Sequence, residues 1–188
     1  MGGMSEDLTG RLLVATPEIA EGVFRRSVIL LLHHGDDGAQ GIILNRPLDT
    51  EVSAILPSWG AVAVRDRHVY LGGPVGTDSA LGVALVPEGV TAGAALTRLY
   101  GEVGLVDLDA DPASLESLSG AVRVFVGYAG WAPKQLEGEI TSGTWYVVDR
   151  TVGDIHTRSA LGLWSAVLAR QPGALALVAS FPDDPSMN

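Results

Sequence analysis

Cysteine is absent from the 188 residues. Disulfides, thiolate nucleophiles and cysteine zinc sites are therefore excluded, and the absence suits a reducing compartment. Lysine is nearly absent too: Lys134 is the single Lys among twelve basic residues, the other eleven being Arg. Positive charge as a whole is short, with 22 Asp and Glu against 12 Lys and Arg and a net charge of −10. The arginines are scattered, and only Arg25-Arg26 and the pair Arg65 and Arg67 are close in sequence. Nucleic-acid binding needs clustered cations on phosphates, so DNA is a disfavoured partner. Long apolar runs are missing as well, and none nears the ~20 residues of a membrane-crossing helix. Residues 1–10 are polar and small and lack the basic and apolar regions of a secretion signal. A cytoplasmic protein with no membrane contact is expected.

What is present supports a packed core. Hydrophobic residues make up 47% of the chain, enough to bury one sizeable domain. Apolar runs at 11–15 and 27–33 read as strands, the second buried on both faces. Gly35-Asp36-Asp37-Gly38 is a turn, and 39–45 returns as a third strand, so 27–45 forms a hairpin. Further strands are expected at 69–71, 81–86, 104–108, 122–126 and 145–148. A weak short helix is expected at 50–56. A better-signalled one spans 111–120, with Asp111 as cap, Pro112 in the first turn and Gly120 at the end. A third begins at Pro133 and runs to about Ile140. Ala160, Leu161, Trp164, Val167 and Leu168 recur at helical spacing and mark a fourth. The run at 174–179 fits either helix or strand, and the tail from Asp183 reads as solvated. Strands that do not alternate strictly with helices argue for an α+β fold with a mixed sheet.

Chemical motifs are sparse. His33-His34-Gly35-Asp36-Asp37 holds four metal-ligand types, but adjacent strand residues point to opposite faces and Asp is favoured in turns for backbone reasons. No metal is expected. No Gly-x-Ser-x-Gly elbow is present, so a serine triad has no anchor and no catalytic residue is assigned. Gly72-Gly73-Pro74 lacks the Walker and dinucleotide spacings and reads as a tight turn, and no cofactor is expected. Asn45-Arg46-Pro47 ends a buried strand. There Arg46 either binds a carboxylate or phosphate or pairs with an internal acid, while Asn45 ties down the turn.

The stretch GYAGW at 127–131, followed by APKQLEGE, raises the central question. A strand runs into two glycines, two aromatics and a proline. One reading is a compact strand-to-helix corner, with Leu136 and Ile140 on its buried face. The other is a shallow pocket in which Tyr128 and Trp131 flank a ligand that Arg46, Gln135 or Glu139 orients.

The ordered set GRLLVATP (10–17), FRRSVILLLHH (24–34), GAQGIILNRP (38–47), LGGPV (71–75), GLVDL (104–108), GYAGW, QLEGEI (135–140) and the ending at 184–188 resembles the bacterial YqgE/AlgH family over nearly the whole chain. Lys134 departs from the pattern, in which Gly is more usual. The resemblance implies one α+β domain over 8–188 behind a flexible segment 1–7. It also implies a bifurcated, strongly bent sheet folded into a pseudo-barrel with short helices around it. It implies no reaction, and some members carry the label of transcriptional regulator. The expectation is a non-catalytic binding or regulatory protein for a small anionic ligand or a protein partner. A transcriptional regulator and a small hydrolase or transferase are the alternatives. The candidate ligand-binding residues are Asn45, Arg46, Gly72, Gly73, Tyr128, Trp131, Gln135 and Glu139.

Overall fold

A computed structural model describes residues 6–60, 67–91, 93–118 and 120–183. Arg65, most of the segment 1–7 and everything from Asp184 onward lie outside the described residues.

The residues described form a mixed ten-stranded sheet with a few short helices, an α+β domain. Three strands open the chain: β1 (Leu12–Ala15), β2 (Val28–Gly35) and β3 (Gly38–Ile43). Both neighbouring pairs are antiparallel, and the hairpin turns at the expected Gly35 to Gly38. Two short strands follow, β4 (Pro47–Glu51) and β5 (His68–Leu71), with helix α1 (Val52–Ile55) between them. Then come β6 (Val75–Leu85), β7 (Leu96–Tyr100), β8 (Val103–Val106) and β9 (Val122–Trp131). Helix α2 (Gln135–Thr141), edge strand β10 (Trp145–Val148) and three short helices complete the order: α3 (Val152–Ile155), α4 (Leu163–Ala169) and α5 (Leu175–Val178).

The hydrogen-bonded path is β10-β1-β2-β3-β9-β6-β8-β7, and it does not close. It forks at β9. One edge of β9 pairs in parallel with β5 at Phe125 and Val126, then antiparallel with β3 at 129–131. The other edge pairs with β6. Gly127, at φ +69, sits at the fork, a backbone geometry that L side chains resist. Three apolar clusters cover the bent sheet. Leu12, Val14, Leu30, Ile42, Val83 and Phe125 pack with Trp164 and Val167 of α4 inside the bend. Leu13, Ile29, Leu31 and Ile43 face outward onto Trp131, Leu136 and Trp145. Val124, Ala84 and Trp59 build a third cluster. Burial on both faces explains why β1 to β3 read as continuous apolar runs instead of alternating.

Several local expectations differ from the fold. β4 and β7 were not expected; β4 is a mostly exposed edge strand, β7 a half-buried one, and neither carries a clear apolar pattern. The 111–120 helix is a 3-10 segment, Pro112–Leu118, kinked at Leu115, although Asp111 Oδ1 does cap Ala113 N at 3.0 Å. The strand starting at Val122 does not stop at Gly127 but runs on through Trp131. The run at 174–179 is helical at α5. Asp183 is exposed, as expected, and pairs there with Arg25 and Arg26, at 3.6 Å and 2.9 Å.

Candidate functional site

Asn45 is buried and committed to structure. Its Oδ1 accepts from Val28 N at 2.9 Å and its Nδ2 donates to Arg26 O at 2.8 Å. Arg46 is half-buried and donates to the carbonyls of Val23, Asn45 and Arg25. Burial, then the neighbouring Arg25, pulls its pKa below the usual guanidinium value. Together these two side chains shape the loop 23–26. They do not line the clefts beside Tyr128.

Gly72 and Gly73 are where two backbones touch. A Cβ on Gly72 would lie 2.3 Å from Gly127 O, and one on Gly73 would lie 2.1 Å from the Tyr128 carbonyl atoms. Only glycine permits that approach. The Gly-Gly-Pro stretch thus serves the fork in the sheet.

Trp131, Gln135 and Glu139 form one polar knot at the end of β9. Glu139 Oε2 accepts from Trp131 Nε1 at 2.9 Å and from Trp145 Nε1 at 2.8 Å. Gln135 Nε2 donates to Glu139 Oε1 at 3.0 Å, and Gln135 Oε1 accepts from Ala132 N at 3.0 Å. The two indoles meet edge to face, centroids 6.2 Å apart. All these polar groups are satisfied within the chain, and Trp131 is buried in the outer cluster. Lys134 enters α2 at φ +67, the left-handed region where glycine is unstrained, which gives a physical reason for the Gly expected there. Next to it, buried His34 accepts Leu8 N at Nδ1 (3.1 Å) and points Nε2 at Glu137 Oε1 over 3.4 Å. That distance brings the pair near, yet neither atom completes a hydrogen bond.

Tyr128 differs. It is half-buried, its ring lying against Gly76 and Gly130, where added Cβ atoms would come within 3.2 and 3.4 Å. It walls a cleft of about 330 Å³ with Leu32, Leu81, Leu99 and Leu105. His33, Gln40 and Ser79 supply the polar edge. Strands β2, β3, β6, β7, β8 and β9 all contribute, so the walls are rigid elements instead of loops. His33 Nε2 and Asp37 Oδ1 are 2.7 Å apart. That bond, first, holds the Asp37 carboxyl below its usual range. A second cleft shares His33, Gln40 and Tyr128 with the first and runs along Val75, Gly130 and Trp131. Among the described residues no three His, Asp or Glu converge as a metal site.

Of the eight candidate residues, the structure gathers Trp131, Gln135 and Glu139 in the knot and Gly72 and Gly73 at the fork beside Tyr128. Asn45 and Arg46 stand apart. The apolar cleft wall was not foreseen: its leucines come from four strands, and nothing local in sequence distinguishes them from core leucines.

Comparison with known proteins agrees with this architecture. A family model described as AlgH-like matches residues 12–176. A UPF0301 protein of Streptomyces coelicolor is 51% identical over 193 residues, spanning all of both chains. A UPF0301 protein of Rhodococcus jostii is 40% identical over 181 residues, 95% of this chain and 90% of that one. The crystal structure of a protein from Corynebacterium diphtheriae superposes with a TM-score of 0.86 at 34% identity, over 96% of this chain and 95% of that one. The solution structure of the AlgH protein from Pseudomonas aeruginosa gives 0.71 at 25% identity, over 97% and 98%.

Proposed function

The chain belongs to the AlgH-like family, and we propose that it is a non-catalytic binding protein whose ligand seats an apolar body in the cleft beside Tyr128. The observation that carries this reading is the cleft itself. At about 330 Å³ it has the size of a small-molecule site, with apolar walls and a few polar groups at its edge. Leucines 32, 81, 99 and 105 take the apolar part, and His33, Gln40 and Ser79 orient a polar end. A cytoplasmic location is part of the proposal and rests on the cysteine-free composition. No helix among the described residues is long and apolar enough to cross a membrane.

The test is a thermal-shift screen of amphipathic small molecules against the wild type and Leu81→Trp, which fills the cleft. Binding to the native state raises the melting temperature by mass action. Hits that shift the wild type and not the filled variant support the reading. Hits indifferent to the filling, or none at all, reject it.

A hydrolytic second reading has one supporting observation: His33, bonded to Asp37, lines the same cleft as Ser79. Turnover of a simple ester lost in Ser79→Ala would establish it, and no turnover would remove it.

A further inference from the structure

The structure has a second site, independent of the cleft, at the loop 23–26. In a chain of net charge −10, three of its eleven arginines gather there: Arg25, Arg26 and Arg46. Their roles divide. Arg46 and Asn45 bind the loop's carbonyls and hold its shape. Arg26 is kept at φ +52, a left-handed conformation that a bulky side chain adopts only where its surroundings impose it. With the Arg26 carbonyl held by Asn45, the two neighbouring guanidinium groups both reach the segment 181–183. The Arg26 guanidinium carbon lies over the Trp164 ring, 4.3 Å from its centroid.

The groups these two arginines hold are supplied by the chain itself. Arg26 donates to the Phe181 carbonyl and Arg25 to the Asp183 carbonyl. The Asp183 carboxylate lies 2.9 Å from Arg26 Nε and 3.6 Å from an Arg25 nitrogen. Main-chain carbonyls plus a carboxylate, read by paired guanidiniums beside an aromatic floor, are the chemistry of an extended acidic peptide. The fit is loose. A cavity of about 60 Å³ remains between residues 181–183 and the wall of Pro17, Ile19, Ala20 and Trp164. Phe181 stays 44% exposed, and the Asp183 side chain is 78% exposed. Ion pairs that open to water hold weakly and are screened by salt.

We propose that the Arg25–Arg26–Trp164 corner is a recognition site for an acidic peptide segment with an aromatic residue, and that residues 181–183 occupy it in cis as an exchangeable internal competitor. A partner peptide must displace that segment, so its apparent affinity is reduced by the fraction of time the segment is seated.

The test uses a fluorescein-labelled peptide with the sequence of residues 178–184, titrated into full-length protein by anisotropy. Three proteins are compared: the wild type, the doubly substituted Phe181→Ala/Asp183→Arg, and that variant carrying Arg25→Ala. Arg25 shares its backbone carbonyl, not its side chain, with Arg46, so Arg25→Ala leaves the loop's scaffold intact. Melting curves confirm that each variant folds. The released variant is expected to bind about tenfold more tightly than the wild type. Arg25→Ala should take back most of that gain, and so should raising the salt from about 0.05 to 0.5 M. Equal affinity for wild type and released variant, no binding to the released variant, or indifference to Arg25→Ala would each overturn the proposal. Should a variant fail to fold, hydrogen exchange on the wild type decides. Added unlabelled peptide must speed amide exchange at Phe181, whose N–H is held by the Val178 carbonyl, if it displaces the segment, and unchanged rates reject the exchange.

Discussion

Tyr128 and Trp131 stand three residues apart on β9 and meet opposite conditions. At Trp131 the strand ends in a closed polar knot: each indole N–H has the Glu139 carboxylate, and Gln135 braces it. At Tyr128 the same strand runs between glycines, and the ring lines two clefts open to solvent. Both are aromatics in a glycine-rich stretch. Internal satisfaction of the polar groups separates them: a hydrogen-bonded network with every partner inside the chain stabilises and specifies the fold. A half-buried ring over an apolar cleft leaves surface for something else.

The largest effect is expected where the two ends share a backbone contact. Gly73→Ala places a methyl 2.1 Å from the Tyr128 carbonyl, which neither strand can vacate without breaking the fork. A loss of about 4 kcal/mol or more, or failure to fold, should appear in urea denaturation. Glu139→Ala strands two buried indole donors and should cost about 3 kcal/mol, with Glu139→Gln nearer 1–2. Equal costs for the two substitutions would mean that the carboxylate packs there without acting as the shared acceptor.

Lys134→Gly works in the other direction. It relieves a left-handed side chain at the entry of α2 and should stabilise by about 0.5–1 kcal/mol, net of the greater freedom of an unfolded glycine. The exposed contacts of Lys134 with Asp36 and Glu137, at 4.0 and 3.9 Å, offset little of that. Tyr128→Phe keeps the wall and removes only the hydroxyl, so the melting curve should hold within about 0.5 kcal/mol.

The smallest effect concerns pH at the rim of the cleft. Asp37 has a depressed pKa, chiefly through His33. A carboxylate with a lowered folded pKa adds stability above its unfolded value, near 3.8, and that stability fades as pH falls through the folded value. Asp37→Asn should therefore narrow the gap to wild type only in acid, below about pH 4. A gap that instead stays constant down to pH 2 would place the effect in packing and not in charge.

Legibility followed burial. β1, β2, β3, β9 and β10 were readable because their apolar runs face two clusters at once. β4 and β7 were not, since edge strands such as PLDTE and LTRLY carry no period. GYAGW was read as the end of a strand because glycine lowers strand propensity. The fold keeps the strand going, since Gly127, Gly72 and Gly73 let two backbones meet. Of the candidate site, Arg46 and Glu139 are used internally, each by partners that no local motif announces.

The sequence alone determined the family resemblance, the α+β class, the lack of thiol chemistry and the acidic surface. These follow from composition and from short-range apolar pattern, which are local and additive. Only the tertiary structure decided which polar groups are spent and which are free. Trp164 finds its acceptor, Ala15, 149 residues away, and Asn45 finds Val28 across 17. Hydrogen-bond satisfaction is a pairwise property of groups distant in sequence, so the open wall at Tyr128 and the occupied arginine corner became visible only once the sheet had bent.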